Sequence, residues 1–256
     1  MFTDNALARL TAASSRPTNA YFLAWANDEI VHETLRFVRR RPRLHTTGRH
    51  VRADQWPTLL YVDSLATELF VSKFNERQPT GVRELGLDAA VLLDEPSAPV
   101  FMPLCSRDAS HWSLLVLCGE RRRYAMHFDS MGNANCVLGH TVVNQLVQSS
   151  ASQQLWPLGA RVEYTPVESA AQQTHAWECG YCVGLFASSL IELVYVHGSS
   201  GLTPAFVYAT FGAHPRMCSA ENCTRLANTL LDWHEARNSA KRYAQTRLRH
   251  LLAISE

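Results

Sequence analysis

The sequence predicts an α+β fold around a single sheet, on three observations. Helical periodicity marks the first third of the chain. Four short runs rich in Val, Leu and aromatic residues follow between Ala98 and Val167. Strongly helical patterning then resumes toward the end.

Residues 1–20 are polar and poor in large apolar side chains, which predicts a loose lead-in. From Asn27 to Arg41, Val31, Leu35 and Val38 recur at helical spacing, with Asn27 or Asp28 available as cap. Pro42 ends that helix, because the residue before proline avoids helical dihedrals. A second helix is expected over Asp63–Phe74, with Leu65, Leu69 and Phe70 inward. The expected strands are Ala98–Cys105, His111–Cys118, Arg123–Asp129 and Arg161–Val167. Gly119, Glu120 and the arginines after them predict a tight hairpin between the second and third. In the third run Tyr124, Met126 and Phe128 share one face, and Ala125, His127 and Asp129 the other. Leu138–Val147 is expected as a helix, and Gly180–Val196 as a strongly apolar one ending near Gly198. The C-terminal third reads as polar-faced helix. No repeat, low-complexity tract or Pro/Gly/Ser-rich linker divides the chain, so residues 21–256 are expected to form one domain.

A chain of 256 residues can bury a sizeable core. Its 24 basic residues nearly balance 23 acidic ones, which argues against a polyanion-coating protein. Lys73 and Lys241 are its only lysines; the other basic residues are arginines. Arg39–Arg41 and Arg121–Arg123 read as solvated faces, an acidic-partner surface or a weak nuclear address. No apolar run is expected to reach the roughly 20 residues that span a bilayer. The first residues lack a basic segment followed by an apolar one, which argues against secretion. Seven cysteines, an odd number, then point to reduced thiols rather than a disulfide scaffold, and to a cytoplasmic or nuclear location.

A cysteine nucleophile needs a base, a group that orients the base, and donors for the oxyanion of an acyl intermediate. All four can be assembled here. Cys179 directly precedes the apolar helix, where the positive end of the macrodipole favours thiolate. His111 opens one expected strand and Asp129 closes its neighbour, so antiparallel pairing lets them touch. Gln173, six residues before Cys179, can bring its amide beside the Cys179 N–H. Singly, each has a plainer reading: a core histidine beside a Trp, a turn-forming aspartate, a packed thiol. Their joint occurrence, in an order that closes, favours catalysis.

The segments His111-Trp112-Ser113-Leu114-Leu115-Val116, His127-Phe128-Asp129-Ser130 and Gln172-Gln173 through Cys179-Gly180 resemble the sentrin/SUMO-specific protease family. Within it they are most similar to the deneddylase branch. The order His, Asp, then Gln six residues before Cys is kept. Ala24-Trp25-Ala26-Asn27-Asp28 resembles the family's Trp-Leu-Asn-Asp segment. Ala26 departs from the usual Leu, Glu178 from the usual Asp, and residues 31–60 and 197–256 match loosely.

The resemblance implies a papain-like cysteine protease of Ulp/adenain-type arrangement, with a central mixed sheet flanked by helices. It implies cleavage after the C-terminal Gly-Gly of a ubiquitin-like modifier, from conjugates and precursors. The neddylation modifier is expected first, then SUMO or ubiquitin. By the same resemblance Cys179 is the nucleophile, His111 the base, Asp129 its orienter and Gln173 the oxyanion donor. Trp112 and Trp25 would wall a tunnel over the diglycine, and Asp28 would hold the modifier's tail. No metal or organic cofactor, nucleic acid or membrane is implied, and a monomer is expected.

Other classes compete. Cys179-Gly180-Tyr181-Cys182 invites a thiol oxidoreductase, with Thr203-Pro204 downstream. That reading leaves His111, Asp129 and Gln173 unexplained and makes the long apolar helix out of place, so Cys182 is read as a packing residue. His214, Cys218, Cys223 and His234 invite zinc, but their spacing fits no strong finger pattern. A non-hydrolytic modifier-binding module or an acyltransferase on the same scaffold is the remaining alternative. His175 and Glu178 are read as solvent-facing loop residues.

Overall fold

A computed structural model describes residues 2–14, 26–40, 57–78, 80–106, 110–149, 151–156, 161–168, 170–213 and 216–253, with the side chains of 39, 40 and 242 onward excluded. Five strands form one sheet in chain order: β1 (Leu60–Tyr61), β2 (Val100–Ser106), β3 (His111–Cys118), β4 (Tyr124–Phe128) and β5 (Glu163–Pro166). The inner pairs β2–β3 and β3–β4 are antiparallel, while β1–β2 and β4–β5 are parallel, so the sheet is mixed. The four expected strands all form: β3 with the expected bounds, β2 displaced toward Ser106, β4 and β5 shortened at both ends; β1 is added at the edge.

Every residue of β3 and β4 is buried, because helices cover both faces. The alternation expected for β4 holds: Tyr124, Met126 and Phe128 enter one core with Leu114 and Val116, while Ala125 enters the other with Leu115 and Leu117. Behind the first face lie α1 (Asp4–Ser14) and α2 (Asp28–Arg40), and behind the second α3 (Ser64–Asn75), α4 (Ala89–Asp94), α5 (Cys136–Gln148) and α6 (Ser152–Leu155). The first face is completed by α7 (Cys179–His197), α8 (Pro204–Gly212) and α9 (Ala220–Ala253).

Capping follows the sequence closely. Asn27 Oδ1 accepts from Ile30 N at 3.0 Å to start α2, and Asp63 Oδ1 accepts from Leu65 N at 2.9 Å to start α3. Thr203 caps α8 with Pro204 in its first turn, and Gly198, at φ 76°, ends α7.

Four expectations are corrected. Asp4–Ser14 is no loose lead-in: Ala6, Leu10 and Ala13 are buried, and Thr224 Oγ1 of α9 donates to Ala13 O at 3.2 Å, while residues 15–20 lie outside the described residues. Small side chains suffice there because α1 lies close against α9. Leu65 and Leu69 point outward, at 53% and 51% exposure, since α3 turns Ser64, Thr67 and Phe70 inward instead. The stretch Ala176–His197 is long and apolar enough, by composition, to cross a membrane; its apolar character is explained by burial in the core from Cys179 to Val194.

The fourth correction concerns the hairpin arginines. Gly119 turns at φ 80°, where a Cβ would meet the Tyr124 ring at 2.6 Å. Arg121 and Arg122 follow in left-handed conformation, which swings Arg122 under the sheet to 1% exposure. Its guanidinium donates to Ala98 O at 2.8 Å and also to the carbonyls of Leu92, Glu95 and Leu155. It thereby collects orphan carbonyls at the end of α4. Burial lowers its pKa to about 10, with Glu95 opposing, so it keeps its charge at neutral pH. Arg122→Met should strand those acceptors and cost about 3 kcal/mol. Urea unfolding should show the midpoint falling at unchanged slope; an unmoved midpoint would refute the role.

Candidate active site

The register Leu114↔Phe128 continues one step to set Asp129 opposite Ser113, making His111 its diagonal neighbour on the same face. His111 Nε2–H donates to Asp129 Oδ1 at 2.6 Å, and the two side chains are 1% and 3% exposed. Asp129 also accepts from Met131 N at 2.8 Å on Oδ1 and from Asn135 N at 2.7 Å on Oδ2. Burial works against that carboxylate's charge, but these three donors outweigh it and lower its pKa.

With Nε2 engaged, Nδ1 is the imidazole nitrogen left for Cys179, and among the described residues it has no other hydrogen-bond partner. Burial opposes a charge on His111, yet Asp129 and the Cys179 sulfur together raise its pKa from 6.5 to about 9. Cys179 is the first residue of α7, 3% exposed, with Sγ 3.7 Å from Ala176 O. The helix start is pressed against the segment that leads into α2 and touches the sheet: a Cβ on Gly180 would lie 2.4 Å from Ala26 Cβ and 3.5 Å from Trp112 Cδ1.

Gln173 lies in the loop before Cys179. Its Oε1 accepts from Ser130 Oγ at 2.6 Å and its Nε2 donates to His175 O at 3.0 Å. Trp112 is 5% exposed, with its indole N–H donating to Ala26 O at 3.1 Å. Asp28 is exposed at the first turn of α2. Trp25 lies outside the described residues.

Residues that sequence reasoning passed over support this group. Asn135 Nδ2 donates to His111 O at 3.1 Å and to Ser113 Oγ at 3.0 Å. Tyr164 OH has one hydrogen and Cys136 O can only accept it, so His127 carries its proton on Nδ1 and its Nε2 accepts from Ser113 Oγ at 2.9 Å. His127 Nδ1–H then donates to Tyr164 OH at 3.0 Å, which donates to Cys136 O at 3.1 Å. Burial, helped by the nearby charge of His111 and opposed by Asp129, lowers the His127 pKa to about 4, so it stays neutral. The signal for His127 and Ser113 was alternation with His111 and Asp129 on one sheet face. Asn135 stands in a Gly132-Asn133-Ala134-Asn135 tract that reads only as a turn.

Glu178 is corrected from solvent-facing to fully buried, at 0% exposure. It accepts from Thr174 N at 2.6 Å, from His175 N at 2.9 Å and from His175 Nδ1 at 2.9 Å, closing a capping box ahead of α7. Cys182 turns away to Cys223, 4.0 Å between sulfurs, with Cys218 beside it. All seven cysteines are free thiols. Among the described residues no group of three His, Cys, Asp or Glu is arranged to hold a metal, and His214 lies outside them.

A mixed sheet carrying a His–Asp pair on adjacent strands, facing a cysteine at the start of a buried helix, is a papain-like cysteine-protease arrangement. Residues 25–203 match the Ulp1 protease family, C-terminal catalytic domain, and the chain belongs to that family. A solved structure described as a de-sumoylating protease is 12% identical, covers 95% of this chain and 92% of its own, and superposes with a TM-score of 0.53. The Ulp1-like SUMO protease catalytic domain of Chaetomium thermophilum is 19% identical over 89% of this chain and 90% of its own, with a TM-score of 0.46. No curated protein matches the chain.

Proposed function

We propose that this chain is a thiol peptidase and isopeptidase that cleaves after the C-terminal Gly-Gly of a ubiquitin-like modifier, with Cys179, His111, Asp129 and Gln173 as its machinery. The observation that carries the reading is the buried His111–Asp129 contact of 2.6 Å with Cys179 as the imidazole's other partner. Ulp1-family proteases act on ubiquitin-like modifiers such as SUMO, which supplies the substrate class.

His111 Nδ1 takes the Cys179 proton, and the thiolate attacks the glycine carbonyl. The oxyanion meets the Cys179 N–H and Gln173 Nε2, each worth about 3 kcal/mol to the transition state. Collapse breaks the C–N bond as His111 protonates the leaving amine, and water then hydrolyses the thioester. Trp112, with Trp25, narrows the approach so that only glycine passes, and Asp28 engages the tail. The neddylation modifier is the proposed first substrate, on the His-Trp-Ser-Leu-Leu-Val and His-Phe-Asp-Ser segments. The enzyme works as a monomer in a reducing compartment, cytoplasm or nucleus, where its free thiols persist.

Electrophile probes built on the C-termini of neddylation modifier, SUMO and ubiquitin test this directly. Cys179 should be labelled, fastest by the neddylation probe. Faster labelling by SUMO would overturn the preference alone; labelling by none would overturn the activity.

A further inference from the structure

We propose that Ser130 is a positioning residue for the oxyanion donor, fixing the amide of Gln173 so that its NH2 group faces the scissile carbonyl. The inference rests on the reading of Gln173 as that donor. A glutamine amide is nearly symmetric in shape, and a half-turn exchanges its donor for its acceptor. The flipped form would aim Oε1 at a developing negative charge and destroy the site. Something must therefore decide the orientation.

Two contacts decide it. The His175 carbonyl can only accept, and it takes one hydrogen of Nε2 at 3.0 Å, leaving the second for substrate. Ser130 Oγ supplies the matching donor to Oε1 at 2.6 Å, from a side chain only 1% exposed. The backbone repeats the pairing, since Gln173 N donates to Ser130 O at 2.9 Å. Gln172 ties down the flanks, its Oε1 accepting from Gly132 N at 2.6 Å and its Nε2 donating to Asp129 O at 3.3 Å. The turn that carries Asp129 and the loop that carries Gln173 are thus laced into one unit, with Ser130 as its side-chain link. His175 is held in turn by buried Glu178, so both ends of the amide contact rest on fixed partners.

The test is Ser130→Ala in the full chain, assayed on neddylation modifier carrying a C-terminal fluorogenic amide. Here kcat should fall roughly 10- to 100-fold with KM little changed, somewhat less than the loss from deleting a donor outright. Alkylation of Cys179 by iodoacetamide should proceed at the parent rate, because attack on a saturated carbon develops no oxyanion. In a Gln173→Ala background the Ser130 change should add nothing further. Parent-level kcat, additive losses, or alkylation slowed as much as turnover would each overturn the proposal. The last of these would place the effect on Asp129 and His111 instead. A parent enzyme that turns over no modifier substrate, with Cys179 unlabelled by every probe, would instead overturn the underlying reading.

Discussion

Cys179→Ala is expected to abolish modifier release while leaving modifier binding intact. In the proposed mechanism the sulfur is the one atom that bonds to substrate, and no neighbouring thiol can replace it. Cys182, one turn along α7, is fully buried and directed to Cys223. Ser130 Oγ donates to Gln173 and lies beside Cys182. Turnover should fall by about 10⁶-fold, the scale seen when the nucleophile of an intact triad is deleted. The fold should hardly register the change, since one buried heavy atom is worth about 1 kcal/mol. Cleavage of a modifier fusion, followed on a gel, reads the first effect, and calorimetric titration with free modifier reads the second. Release at the parent rate would remove Cys179 from the mechanism. Loss of binding along with cleavage would show that the thiol holds the site's shape rather than its chemistry.

The parts of this site that were legible in the sequence are those whose placement depends on local pattern. His111 and Asp129 sit at the ends of strands that are continuous apolar runs, and a hairpin between them leaves little freedom in register. Cys179 stands where an apolar helix begins, which is visible without knowing what the helix packs against. What escaped depends on distant partners. The small apolar face of α1 acquires meaning only beside α9, more than two hundred residues away. Leu65 and Leu69 look like the inward stripe of α3, yet the sheet takes Phe70 and two small polar residues. Arg122 reads as a surface charge until left-handed turns drive it inward to four backbone carbonyls. Glu178 and Ser130 have the composition of loop residues, and their burial comes from hydrogen bonds to segments that no periodicity encodes.

Asp129→Asn should cost about 10⁴-fold in kcat, through geometry rather than through charge alone. An aspartate accepts at both oxygens, and here both are used: Oδ1 by His111 and Met131 N, Oδ2 by Asn135 N. An asparagine has one acceptor and one donor. If its NH2 group takes the Oδ2 position, it meets the Asn135 N–H head-on. If it takes the Oδ1 position, it meets Met131 N–H and forces His111 Nε2 to accept. The imidazole proton then moves to Nδ1, the nitrogen that must receive the Cys179 proton. The first placement strands a buried N–H against the amide, and the second leaves no working base. The pH profile separates this from simple unfolding. In the parent, Asp129 and Cys179 raise the His111 pKa to about 9 against the effect of burial, so the imidazolium that the proposed mechanism uses to protonate the leaving amine is lost only above that pH. In the variant burial remains while the Asp129 contribution is gone, and the alkaline limb of kcat/KM should shift toward acid. Stability carries the same sign. A histidine raised above its unfolded value of 6.5 stabilises the fold fully below that pH, and the benefit fades as pH rises through about 9. The parent's Tm should therefore decline between those two values, and the variant's should decline less. A variant that keeps the parent's alkaline limb at about 9 would show that Asp129 does not govern the His111 proton.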